Sequence, residues 1–275
     1  MKPSHSSHQD LAQVALSSDG ESDAYWDSVR ELQKRGTRAV FEVAAQLCAG
    51  EEPRSRSVGL DVLAQLGYEN GRPFLAESLP IALRLARDSE TTVCRSALSA
   101  LGHLGDAKAL PELLDHIGDS DPGIRLAVAQ AIPSVLGDPP QNVGIAALIT
   151  LSDDAASDVR DWATFGLGSL LDVDGEQVRR ALRRRLDDPE GDTAGEALVG
   201  LARRRDRSIR AKVHALLETE NVGNLIVEAA GQLADSSLVP SLERLKGLGW
   251  AKDDPRGWLL DEALTTCREG RPLER

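Results

Sequence analysis

The chain has 275 residues, 41% of them hydrophobic and 28% charged, which supplies a packed core for one large domain or two small ones and argues against wholesale disorder. Aromatics are only 3%, which argues against a β-sandwich or barrel, and no run of about 18 uncharged apolar residues is present to span a membrane. The formal charge of −12 disfavours nucleic acid and anionic lipid as partners, because both need a net basic face.

Residues 1–22 are rich in Ser, His and Asp and read as a disordered or weakly ordered polar tail, with at most a short helix at Leu11–Leu16. An acid precedes the short apolar stretch, so the segment does not read as a secretory signal. His5 and His8 are read as tail residues. Residues 24–50 are expected to hold a degenerate first helix pair, 24–35 and 37–49, with Tyr25, Trp26 and Phe41 covering the open end of a helix stack.

From residue 53 to 247 a pattern recurs. Its apolar anchors are Val58, Val93, Ile124, Val159, Thr193 and Val222, spaced by 35, 31, 35, 34 and 29 residues. Small or apolar residues follow at four, seven and eight, a glycine-like residue at nine, and Asp or Gly at thirteen. Such offsets fall on one face of a 3.6-residue period, so each copy is predicted to be an amphipathic helix. Ala or Gly at seven (Ala100, Ala131, Gly166, Gly200, Ala229) permits close approach of neighbouring helices. Acids stand five residues before four anchors (Asp88, Asp119, Asp154, Asp188) and are read as helix-start residues. Between the anchored helices lie shorter periodic stretches, of which 104–117 and 233–245 align with each other, Pro111 on Pro240. Trp250 and Trp258 flank a turn, and a C-terminal cap helix is predicted at 254–268. A helix pair of this kind shelters its apolar face only by stacking on the next pair.

The runs at 93–106, 124–138 and 158–172 resemble the HEAT-like repeats in their short form of about thirty residues (the phycobilisome-lyase type), over roughly 50–250. The resemblance implies an all-α fold: an α-solenoid over 23–270, six or seven helix pairs stacked as a superhelix, the anchored helices lining its concave side. It implies several function classes, since such proteins include scaffolds, adaptors, tetrapyrrole-attachment lyases and a diiron hydroxylase.

Positions three and six of the anchored helices are mixed to polar, so they are not central core. In the fourth copy they are Trp162 and Phe165, the only aromatics between Phe74 and Trp250. Arg160, Asp161, Trp162, Thr164 and Phe165 form the most distinctive segment of the chain. An exposed Trp beside Arg has the composition of an interface hot spot. Glu196, Arg203 and His103 are expected to complete that surface from neighbouring helices. The competing reading is that the two rings fill a gap between repeats of unequal length.

Charge is segregated: 88–174 carries fourteen acids and four bases, whereas 179–212 carries eleven bases and six acids. Arg179, Arg180, Arg183, Arg184, Arg204 and Arg207 are read either as cross-paired with nearby acids or as a basic patch that docks an acidic peptide or a phosphate group.

Catalytic motifs do not appear. No His-Glu pair is present, so the hydroxylase activity does not carry over residue by residue, and no short lyase motif matches. The cysteines Cys48, Cys94 and Cys267 are far apart, form no CxxC, and imply a reducing cytoplasm. The expected function is therefore a non-enzymatic scaffold or adaptor that binds a protein or peptide on its concave face, without metal or cofactor. An enzyme or accessory of the lyase type is the alternative, and a helical-repeat nucleic-acid binder the remote one.

Overall fold

The computed structural model describes residues 7–250 and 257–271, and among these there are helices, turns and no strand. The chain divides into two compact units, Met1–Ala147 and Leu148–Arg275.

The first unit contains α1 (His8–Ser17), α2 (Asp23–Arg35), α3 (Arg38–Cys48), α4 (Pro53–Ala64), α5 (Leu75–Leu85), α6 (Thr91–Leu104), α7 (Leu110–Asp115), α8 (Pro122–Val135) and the start of α9 (Asn142–Leu151). Helices α4, α6 and α8 form a row, with α3, α5 and α7 each packed against the anchored helix that follows it. This is the stacked-pair arrangement of an α-solenoid. The anchors Val58, Val93 and Ile124 are all buried. Leu101 and Ile132 are fully enclosed, and each such side chain contributes about 1.5–3 kcal/mol by leaving water.

Two expectations at the N-terminal end are corrected. Residues 8–17 are not a loose tail: Ser7 and Asp10 form a reciprocal capping box, and Ala12 and Ala15 are buried. Residues 1–6, with His5, lie outside the described residues. Secondly, 24–35 and 37–49 are helices but not partners. Helix α2 packs mainly on α1, and α3 packs mainly on α4. The Arg54 guanidinium fastens this end by donating to the carbonyls of Ala15 and Ser18.

The second unit holds α10 (Ser157–Phe165), which continues as a π-helical turn at Gly166–Leu170, then α11 (Glu176–Arg185), α12 (Gly191–Arg203), α13 (Arg210–Leu217), α14 (Asn224–Leu233), α15 (Val239–Gly247) and α16 (Trp258–Glu269). Here α10, α12, α14 and α16 form the row, and α11, α13 and α15 back it. The predicted terminal helix begins at Trp258; residues 251–256 of the expected turn and helix lie outside the described ones. Trp250 donates its indole N–H to the Val222 carbonyl at 2.7 Å, while Trp258 is exposed. Val222, the sixth anchor, is buried but precedes α14 by two residues, so the last copy is out of register with its helix.

Small residues at seven and nine are explained by backbone approach. A Cβ on Gly200 would lie 2.6 Å from the Gly168 Cα, and one on Gly102 would lie 2.7 Å from the Ala131 Cα. Position nine of one anchored helix therefore meets position seven of the next, and the row closes only because neither carries a bulky side chain.

The acids before the anchors do a different job from the expected one. Asp88, Asp119, Asp154 and Asp188 each sit two residues ahead of the N-cap, and each accepts from the backbone N–H two residues on, at 3.0, 2.8, 2.8 and 3.1 Å. They shape the turn rather than cap the helix. Asp88 and Asp188 also receive an arginine from the preceding repeat. Arg56 reaches Asp88 at 2.8 and 3.0 Å, and Arg160 reaches Asp188 at 3.0 and 3.1 Å. Both arginines are the fourth residue of their helix and also donate to carbonyls of their own preceding turn. Burial works against ionised Asp88 and Asp188, yet the guanidinium and backbone donors hold both carboxyls below the usual carboxylate range.

Candidate functional site

Positions three and six of the anchored helices line a groove in the first unit, and some of them line one in the second. In the first unit they are Asp61, Ala64, Ser96, Ser99, Ala127 and Gln130, around a groove of about 490 Å³. In the second they include Phe165, Glu196 and Glu228, around a groove of about 670 Å³.

The first groove is built round a carboxylate. Tyr25 is buried with its hydroxyl donating to Asp61, and Gln33 donates its amide to the Asp61 carbonyl at 2.8 Å. Arg54 stacks over the Tyr25 ring at 4.6 Å. Burial pushes the Asp61 carboxyl up to about 6, against the hydrogen bonds from Tyr25 and Ser96 and the nearby charges of Arg54 and Arg95. The Tyr25 hydroxyl is likewise raised, by burial first and by the Asp61 charge next. His103 lines this groove, its pKa lowered by burial and by Arg72. It thus lies in the first unit, whereas the segment it was expected to complete lies in the second. Sequence reasoning missed Asp61, Tyr25 and Ser96. The available signal was their offset: Asp61 and Ser96 occupy the same position three as Trp162.

In the second unit the predicted segment divides according to helical position. Trp162 is 37% exposed, and Phe165 is half-buried and lines the groove. Their rings meet edge to face, 5.6 Å between centroids at 80°. The rings are therefore not sealed between helix layers. Asp161 is half-buried and accepts from the Thr193 hydroxyl at 3.4 Å. Burial raises its carboxyl, with Asp192 as the next cause. Glu196 accepts from Ser169 at 2.7 Å and is also raised, by burial and then by Glu228 and Asp161. Arg203 lines the groove and donates to the Ser169 carbonyl.

Of the segment, Phe165 lines the groove, and two members turn away from it. Arg160 is committed to Asp188, and Thr164 is fully buried with its hydroxyl donating to the Arg160 carbonyl at 2.7 Å. Both are drawn to the packed side of α10, one turn apart, so they hold the helix rather than meet a ligand.

The arginine-rich stretch is largely cross-paired. Arg179 binds Asp174, Arg183 binds Asp206, Arg184 binds Asp153 and Arg180 lies 3.8 Å from Glu176. Arg204 is half-buried and donates to five carbonyls, those of Leu167, Gly168, Leu171, Val173 and Gly200. Its guanidinium completes the backbone groups around the π turn, and burial lowers its pKa. Arg207 is exposed at a 3₁₀ turn. Such pairing leaves little of the stretch as an open cationic patch.

Residues 79–168 match the family model for HEAT repeats. The chain is 26% identical over 228 residues to protein YibA of Escherichia coli K12, covering 79% of this chain and 78% of YibA. The X-ray structure of YibA from E. coli aligns with a TM-score of 0.68 at 22% identity, over 98% of this chain and 99% of that one. Kap95 in its complex with Nup1 aligns at 0.64 and 14% identity, over 94% of this chain and 39% of Kap95. The CpcE–CpcF complex of phycocyanin lyase from Nostoc sp. PCC7120 aligns at 0.50 and 14% identity, over 97% and 96%. These likenesses are of the fold, a helical-repeat solenoid. No described helix is long and apolar enough to cross a membrane.

Proposed function

We propose that the protein is a non-catalytic interaction module that captures a protein or peptide segment in the groove of its second unit, with Trp162 and Phe165 as anchors. The observation that carries this reading is the pair of touching rings, one exposed and one lining the groove, on a helix whose other large side chains are packed away. Large rigid rings bury much area on association at small entropic cost and so supply most of the affinity of an interface. Asp161, Glu196 and Arg203 supply the polar groups that set orientation. Kap95, which shares the fold, binds Nup1, and CpcE binds CpcF, so stacks of this architecture do present their faces to other proteins. The buried thiols Cys48, Cys94 and Cys267, pushed by burial up to about 12, 11 and 11, suit a reducing cytoplasm.

Affinity capture with crosslinking, comparing the natural chain with Trp162→Ala, tests the proposal. The variant is expected to lose the partner while its thermal midpoint stays within a few degrees of the natural chain. A large fall in thermal midpoint with capture unchanged would make the rings packing elements and end this reading. A chromophore absorbance band above the protein region would instead favour the lyase-type alternative.

A further inference from the structure

We infer that the groove of the second unit takes a basic polypeptide segment, with an Arg or Lys side chain laid over Trp162 and its charged head between Asp161 and Glu196. This inference rests on the proposed capture of a peptide in that groove and names the chemistry of its occupant.

The argument starts from how this unit treats its acids elsewhere. Several on the turns and the backing helices are answered by arginine or lysine: Asp153, Asp174, Asp187, Asp188 and Asp206 are in ion pairs. Beside the ring pair, on α10 and the N-terminal half of α12 packed against it, three acids are not answered in this way. Among the described residues, Asp161, Asp192 and Glu196 have no ion pair. Asp161 has the Thr193 hydroxyl, and Glu196 has the Ser169 hydroxyl. The carboxylates face one another instead, and their mutual repulsion adds to burial in raising Asp161 and Glu196. Arg203, Arg204 and Arg205 line the same groove. Arg203 and Arg204 direct donors to main-chain carbonyls around the π turn, and among the described residues none of the three forms an ion pair with Asp161, Asp192 or Glu196.

The aromatic pair shows the same lack of positive charge. Phe41, Phe74, Tyr25 and Tyr68 in the first unit each carry a guanidinium of this chain within 5.0 Å of the ring centre. Among the described residues no such cation lies over Trp162 or Phe165. An indole face beside under-compensated carboxylates attracts a cation twice, through the ring quadrupole and through charge-assisted hydrogen bonds. Only a side chain with an apolar stem and a cationic head satisfies both, because the stem covers the ring and the head reaches the carboxylates. An acidic or phosphorylated segment would meet like charge at Asp161, Asp192 and Glu196.

The probe is a displayed library of random dodecapeptides, panned against the full chain and, in parallel, against Trp162→Ala. Binders lost with Trp162→Ala are expected to be enriched in Arg and Lys over the starting library. The best of them, measured by fluorescence anisotropy, should bind the Asp161→Asn/Glu196→Gln double variant about tenfold or more weakly. Those substitutions remove repulsion and keep hydrogen-bonding shape, so folding is not at risk. The control, Asp27→Asn/Glu69→Gln, removes the same charge from exposed sites of the first unit and should change affinity by about twofold or less. An equal loss in both double variants would mean diffuse attraction to an acidic protein and would overturn the inference. Trp162-dependent binders with no basic enrichment would overturn it while leaving the groove reading intact. An absence of Trp162-dependent binders would remove both.

Discussion

Asp61 sets a sign for the pH dependence of stability. Burial raises its carboxyl to about 6 in the folded chain, above the ordinary 3.8, so between those values the folded state holds the proton more tightly than the unfolded one. The stability it contributes is complete below the unfolded value and is lost as pH rises through about 6. The Asp61→Asn variant removes this component: its thermal midpoint should gain on that of the natural chain from pH 4 to pH 7 and hold a constant difference above that. A difference that shrinks over the same window would refute the assignment. Asp88 and Asp188, held low, act with the opposite sign: their contribution is present above the ordinary carboxylate range and is lost as pH falls through their depressed values. A second residue-scale expectation concerns Arg205 and Ala234, which end α12 and α14 in the left-handed region with φ of 51° and 50°. Gly105, at φ 68°, ends α6 in the same way. Replacing either by Gly should stabilise the chain by about 0.5–1 kcal/mol, read as a raised urea midpoint. At this scale the sequence was legible in part. Offsets three and six hold Phe165 and Glu196, which line the second groove, and Trp162, which is exposed beside Phe165. Arg160 and Thr164 were grouped with them by composition, although one and five residues beyond the anchor they turn to the packed side. Asp61 looked like one more polar residue until its burial could be seen.

Helices α10 and α12 touch through backbone, so the element-scale prediction is steric. In Gly200→Leu the new side chain has Gly168 at 2.6 Å and Leu182 at 3.0 Å in its way and must push the two helices apart. Overpacking of this kind costs about 1–3 kcal/mol or more, so the denaturation midpoint should fall clearly below that of the natural chain. A change of a few tenths would show that the row does not depend on this approach. Helix existence was largely readable, because the repeat fixes a 3.6-residue period over six copies. The pairing of elements was not. Residues 24–35 and 37–49 follow each other directly, yet α2 packs mainly on α1, since the capping box at Ser7 and Asp10 starts a helix where composition suggested a tail. The π turn at Gly166–Leu170 was also hidden, because it is defined by a shift in hydrogen-bond partner, Leu171 N–H to the Gly166 carbonyl, that leaves the apolar spacing intact.

Within each unit, stability is expected to run from neighbour to neighbour, as each anchored helix is sheltered by the next. Helix α16 closes the second unit: Leu260, Ala263, Leu264 and Cys267 are buried, and a Cβ on Gly231 of α14 would lie 3.2 Å from the Ala263 Cα. A chain ending at residue 250 uncovers that side of α14. It should unfold at lower urea and bind a hydrophobic dye that the full chain excludes, whereas removal of a merely decorative helix would leave both unchanged. The solenoid class could be inferred from the repeat alone, but its division inside α9 leaves no mark in the hydrophobic pattern. The Arg203-Arg204-Arg205 run looks like an open invitation to trypsin, yet the middle guanidinium is spread over five main-chain oxygens and cannot enter a protease pocket while they hold it. Scission after Arg204 in the native chain therefore clocks the departure of α12 from its π-wound neighbour. A lysine there would keep the peptide bond digestible but could not grip all five oxygens, so Arg204→Lys should be nicked sooner.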